Sequence, residues 1–147
     1  MKIEAYLKES PLFSLYVAHD QVLRDFQLKL AREEVHFIQA LIVTGLFFED
    51  QPVRPSALAE ILCCSRSNIS HAVRDLERRG WVERGMKKDD ARAYLLTLTR
   101  GGKRQAARLI KILDATQDLL EDVGGKELNS KLRTFVREYR SRLVLPR

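Results

Sequence analysis

The sequence predicts a mainly α-helical protein carrying one small β-hairpin, and three observations lead there. Apolar residues recur every three or four positions over most of the 147-residue chain. A single stretch, Trp81–Thr99, breaks that period and holds the β-favouring run Tyr-Leu-Leu-Thr-Leu-Thr. Proline and glycine fall where helices should start or stop: Pro52, Pro55, Gly80 and Gly124-Gly125.

The elements follow in order. Leu12, Leu15, Tyr16, His19, Leu23, Phe26 and Leu30 keep helical spacing, so a long first helix is expected over about residues 10–32. Residues 33–48 form a second, strongly apolar helix that should sit in the core, and Asp50-Gln51-Pro52 breaks it. Pro55 suits the first turn of a short third helix, which should bury Leu58, Ile61 and Leu62. Ser65 is placed to cap a fourth helix that runs to Arg79 and stops at Gly80. Strands are expected over 81–85 and 93–99, bracketing the loop Gly85–Arg92. Thr99 should cap a fifth helix reaching Glu121, although Gly101 and Gly102 each weaken its first turn by roughly 1 kcal/mol. In the last helix Leu128, Leu132, Phe135, Val136, Tyr139 and Leu143 make one apolar stripe.

Composition bounds the function. An apolar fraction of 45% argues for a folded core. The longest apolar run, Ala40–Phe48, is far short of the roughly 18 to 20 residues that span a bilayer. The first nine residues hold no apolar signal core, and two adjacent cysteines make no disulfide framework, so a cytoplasmic protein without membrane contact is expected. Charge is unevenly distributed. Residues 1–64 are net −3, residues 65–104 net +6 and residues 105–147 net +3. Positive charge gathered in the middle suits a polyanionic partner.

That middle segment has an amphipathic helix with two distinct faces. Ile69, Val73 and Leu76 fall on one side and should pack inward. Ser67, His71, Arg74 and Arg78 fall on the other, with Asn68 and Ser70 beside them. Asn can pair with adenine, Arg with guanine and Ser with either, so this face suits a DNA major groove. Two short helices joined by Cys63-Cys64-Ser65 make a helix-turn-helix. In the following loop Lys87 and Lys88 can reach phosphates and Arg92 a narrow minor groove, while Asp90 is spaced to orient Arg92. The outer helices carry wider apolar stripes than the middle unit can cover, which points to a two-fold dimer. Residues 1–32 and 100–147 are therefore expected as dimerisation helices around a 33–99 DNA-binding unit, all within one domain.

Pro55–Lys103 resembles the winged helix-turn-helix core of the MarR family of bacterial transcription regulators. The resemblance rests on SALAEIL, SRSNISHAVRDLERRGWVER, the wing DAR-AYLLTLT and the following T-x-x-G-K. It implies a homodimer that binds a pseudo-palindromic operator in double-stranded DNA as a ligand- or stress-responsive repressor. In the family, the positions of Ser67, Asn68, Ser70, His71 and Arg74 face DNA. The wing arginine, here Arg92, enters the minor groove with support from the aspartate at Asp90. Such proteins release DNA when a small-molecule effector or oxidant binds. Three departures stand out. Cys63 occupies a turn position that is usually glycine. His71, with a charge that depends on pH near neutrality, replaces a commonly basic residue, and Arg100 follows the Thr99 cap where proline is frequent.

No motif in the chain points to catalysis. There is no phosphate-cradling glycine loop, GxSxG or HExxH, so neither an enzyme nor a cofactor is expected. His19, His36 and His71 fall on separate elements and make no metal pair; His19 reads as a core or interface residue. Cys63 and Cys64 read as small buried residues at a helix turn, slow to alkylate. The competing function is a winged-helix module that docks on another protein and leaves DNA alone.

Overall fold

The computed structural model describes residues 2–87 and 90–143. The chain forms two compact units, 1–112 and 113–147. Among the described residues, six helices and one hairpin appear in the order α1 (Ile3–Glu9), α2 (Pro11–Ala31), α3 (Phe37–Phe48), α4 (Pro55–Ile61), α5 (Arg66–Arg78), β1 (Val82–Lys87), β2 (Asp90–Leu98) and α6 (Arg100–Arg142). The fold is the mainly α, hairpin-bearing class that the periodicity predicts.

The helix expected over 10–32 appears as α2, Pro11–Ala31, and a short extra helix precedes it. α1 is separate, and α2 starts afresh at Pro11, where a missing N–H costs nothing. Ser10 caps α2 by accepting the N–H of Phe13 at 3.3 Å. α2 ends because Glu34 is left-handed (φ 54), with the Val35 N–H returning to the Leu30 carbonyl. The second helix consequently begins at Phe37 rather than near Glu33, and the Gln39 side chain accepts the His36 N–H at 3.0 Å to close its first turn.

α4 and α5 end by the same device. After α4 the N–H groups of Cys63 and Cys64 bond the carbonyls of Glu60 and Ala59. After α5 those of Gly80 and Trp81 bond Glu77 and Leu76. Both are Schellman ends, which place one residue in the left-handed region. Gly80 (φ 68) suits that conformation, whereas Cys63 (φ 52) holds it against its own Cβ.

The hairpin is longer than expected. Strands at 82–87 and 90–98 pair antiparallel from Val82↔Leu98 to Met86↔Tyr94, and the register shifts between Met86 and Lys87. Pairing therefore consumes most of the segment expected as an open loop. Among the described residues, an isolated bridge from Val53 to Leu96, with bonds of 3.0 and 2.8 Å, adds a one-residue third strand beside β2 just before α4.

The core of the first unit gathers Phe26 and Leu30 of α2, Ile42 and Val43 of α3, and Leu58 of α4. To these α5 adds Ile69, Val73 and Leu76, β2 adds Leu96, and α6 adds Leu109. The Phe26 and Phe37 rings meet edge to face at 5.3 Å. Three apolar expectations fail. Ile61 is 63% exposed, and Phe47 and Phe48 at the end of α3 are exposed as well. His19 is exposed beside Leu15 and Tyr16, so it is no core residue of this chain.

Thr99 caps α6 as expected, accepting the Gly102 N–H at 3.0 Å and donating to the Gly80 carbonyl at 2.6 Å. Within α6, Gly125 is non-helical (φ 63, ψ 173) and marks the break expected at Gly124-Gly125. In the second unit Leu128, Leu132, Phe135, Val136 and Tyr139 all remain exposed, with Phe135 and Tyr139 stacked at 5.9 Å.

Candidate nucleic-acid interface

α5 is strongly two-faced. Ile69, Ala72, Val73 and Leu76 are buried, and their spacing turns the opposite face outward. Ser65 caps it by accepting the Asn68 N–H at 3.1 Å. Of the residues expected at the interface, Ser67, Asn68, His71 and Arg74 are exposed and Ser70 is half-buried. All five lie on the N-terminal two-thirds of α5, on one continuous surface. Helix-to-helix contact between α4 and α5 across the Leu62–Ser65 turn completes the helix-turn-helix.

Lys88 lies outside the described residues, as do the side chains of Lys87, Asp90 and Arg92. The backbone places Asp90 opposite Lys87 at the far end of the hairpin, beyond the last regular pair.

The arginines of the middle segment divide into two groups. Arg78 pairs with Asp75 on α5, and Asp75 also accepts from the buried Gln39 amide at 3.3 Å. Arg79 donates to the Glu34 carbonyl at 2.7 Å and covers the Trp81 ring. Arg84 pairs with Glu77 at 2.6 Å and lies over the Tyr94 ring at 4.3 Å. These three build the unit. Arg66 and Arg74 are exposed and have no acceptor among the described residues.

Arg66 is the residue that sequence reasoning missed. It is the first residue of α5, so its positive charge faces the positive end of the helix dipole, an arrangement that disfavours folding by about 0.3–1 kcal/mol. Arg66, Ser70 and Arg74 form one row at i, i+4 and i+8, and Ser67, His71 and Arg74 form the adjoining row. The signal was in the sequence as a basic residue directly after an N-cap.

Cys63 is exposed, and Cys64 is half-buried. The expectation of two buried thiols therefore fails: Cys63 stands at the left-handed end of α4, and Cys64 is only partly covered. Among the described residues no group of three or more His, Cys, Asp or Glu side chains could hold a metal.

A capped, outward-polar α5, the short α4 before it and the hairpin after it define a winged helix-turn-helix. The family model described as "MarR family" matches residues 48–94, from the end of α3 to the middle of β2. An uncharacterized HTH-type transcriptional regulator of Bacillus subtilis, YdcH, is 30% identical over 104 residues, covering 68% of this chain and 71% of YdcH. The chain belongs to the MarR family. Its fold is shared with Staphylococcus aureus MepR in complex with DNA, at a TM-score of 0.83 and 18% identity over 91% of this chain and 98% of MepR. CouR of Rhodococcus jostii RHA1 bound to p-coumaroyl-CoA superposes with a TM-score of 0.81 and 18% identity, covering 95% of this chain and 98% of CouR.

Proposed function

We propose that this protein is a sequence-specific regulator that binds double-stranded DNA as a homodimer and represses transcription by occupying its operator. One observation carries the reading: the outer face of α5 presents Arg66, Ser67, Asn68, His71 and Arg74, and neither exposed arginine has an intramolecular acceptor among the described residues. A guanidinium left free on a capped, rigid helix can bond a guanine edge bidentately, and a free Asn side chain can read adenine. Ser67, Ser70 and His71 add donors and acceptors along the same face. Lys87 and Lys88 neutralise phosphates, and Arg92, steadied by Asp90, enters the minor groove.

Dimerisation is supported by the apolar side chains left exposed at both ends of the chain. Ile3, Tyr6, Leu12 and Tyr16 are exposed on α1 and α2, and Leu128, Leu132 and Phe135 on α6. In this reading 1–32 and 100–147 dimerise around a 33–99 DNA-binding unit within one domain. Two-fold symmetry then sets half-sites one helical turn, about 10 bp, apart. MepR has been solved on DNA and CouR with p-coumaroyl-CoA, which supports a DNA partner and a small-molecule effector here. The protein acts by binding rather than by catalysis, in the cytoplasm where the chromosome lies. No described helix is long and apolar enough to cross a membrane.

Selection of bound sequences from a random duplex library tests the proposal. A pseudo-palindromic motif should be enriched, and its affinity should fall steeply between about 50 and 200 mM salt as counterions compete. Absence of enrichment at low salt sinks the reading.

A further inference from the structure

Arg79 sits at the C-terminal cap of α5, inside the most basic segment of the chain, where a phosphate contact is the obvious role. Its surroundings point elsewhere. The guanidinium carbon lies 5.2 Å from the centroid of the Trp81 ring, and Nη2 donates to the Glu34 carbonyl at 2.7 Å, 45 residues away in sequence. Glu34 is one of two non-glycine residues held at positive φ among the described residues, the other being Cys63.

The turn that Arg79 grips is a meeting point of four helices. Gln105 of α6 donates to the Glu33 carboxylate at 2.8 Å, and Gln27 of α2 donates to the Val35 carbonyl at 3.4 Å. Gln39, in the first turn of α3, receives the His36 N–H and donates to Asp75 of α5. α5 is thus fastened to this turn region twice, through Asp75 and through Arg79. Those residues are four apart and share one stripe of the helix. The buried Ile69, Ala72, Val73 and Leu76 set which face of α5 turns outward. Two polar fastenings one turn apart narrow the remaining roll about the axis, along which each residue is offset by about 100°.

We infer that Arg79 is a positioning residue. It fixes the roll and tilt of α5 against the α2–α3 turn, so that Asn68, His71 and Arg74 meet base edges in register, and it makes no contact with DNA. The inference rests on the DNA-binding reading above. Base-edge bonds lose strength within a few tenths of an ångström, whereas phosphate attraction falls off slowly. Loss of positioning should therefore erase discrimination before it erases attraction.

The test compares wild type, Arg79→Ala and Arg79→Met on the selected operator and on an unrelated duplex of equal length. Each is titrated at several salt concentrations, well below its thermal midpoint. Arg79→Met keeps an apolar stem over Trp81 while removing charge and donor, so a folded variant remains if Arg79→Ala proves unstable. The expected result is a loss of about tenfold on the operator alone, the scale of one hydrogen bond from a charged donor. Binding to the unrelated duplex and the slope of log K against log salt should stay unchanged. Two results overturn the inference: equal losses on both duplexes with a slope shallower by about 0.9, which is the mark of one lost phosphate contact, or no loss on either. A wild type that binds neither duplex at low salt sinks the DNA reading and this inference together. That failure shows before any variant is compared.

Discussion

The Nε of Arg84 lies 2.6 Å from Glu77 Oε1, so the first strand of the wing is bonded to the last turn of α5. The same guanidinium covers the Tyr94 ring on the second strand at 4.3 Å. One side chain therefore links the helix to both strands of the hairpin, with its charge partly withdrawn from water.

Arg84→Ala should lower both the thermal midpoint and the affinity for operator DNA, because it loosens the wing against α5. A double-mutant cycle with Glu77→Ala should return a coupling of about 0.5–1 kcal/mol, as for a partly exposed pair. Denaturant melts of the four proteins measure it, and strict additivity would count against the link.

Arg74 behaves in the opposite way. It is exposed without a partner among the described residues, so Arg74→Ala should leave the thermal midpoint within about 1 °C, as for a neutral surface change. Operator affinity should fall by about 1–3 kcal/mol, with relaxed selectivity at one base position. Binding measured on a panel of single-base operator variants would locate that position.

Arg66→Ala separates stability from function in a single residue. Removing a positive charge from the first turn of α5 should raise stability by about 0.3–1 kcal/mol. The same change should weaken DNA binding and reduce the salt slope by about 0.9. A variant that is both less stable and equally tight would contradict each half of this expectation.

The paired glycines at the start of α6 should differ sharply when replaced by alanine. A Cβ on Gly102 would lie 1.9 Å from the Trp81 carbonyl oxygen, a backbone atom that cannot step aside, whereas at Gly101 its nearest neighbours are at 3.5 Å. Gly102→Ala should cost about 3 kcal/mol or prevent folding. Gly101→Ala should instead stabilise by about 0.5–1 kcal/mol. Urea denaturation of the two variants is sufficient.

Cys63→Gly should raise stability by up to about 1 kcal/mol, since it relieves a left-handed non-glycine residue at the end of α4. In the native protein Cys63 should react with a thiol-specific alkylating reagent well before the half-buried Cys64. Mass spectrometry of partly labelled protein decides the order.

Local chemistry was legible in the sequence wherever partners lie within a few residues. The Ser65 and Thr99 caps, the stop at Gly80, the break at Gly124-Gly125 and the buried stripe of α5 all follow from spacing alone. What escaped depends on distant partners. The turn at Glu34 is gripped by Arg79 from 45 positions away, and a one-residue bridge at Val53 leaves no periodic trace. The roles of the arginines were equally hidden. Sequence gives Arg74, Arg78, Arg79 and Arg84 the same charge, and only the fold reveals which of them have acceptors. Ile61 and Cys63 were expected inside because apolarity and smallness usually mean burial, whereas α4 buries only Leu58 and Ala59 and Cys63 sits at its left-handed end.

The two hydrogen bonds between Val53 and Leu96 join the approach to α4 with the strand that carries the wing. Helix-turn-helix and wing consequently share a backbone seam, which couples the movement of one to the other. Two separately hinged readers would each surrender freedom of motion on reaching a groove. A single seamed body has surrendered it already during folding, so more of each contact survives as affinity. In the proposed DNA complex this seam would hold α5 and the paired wing strands as one body, so DNA whose helical twist or groove width does not match their spacing would have to deform to bind.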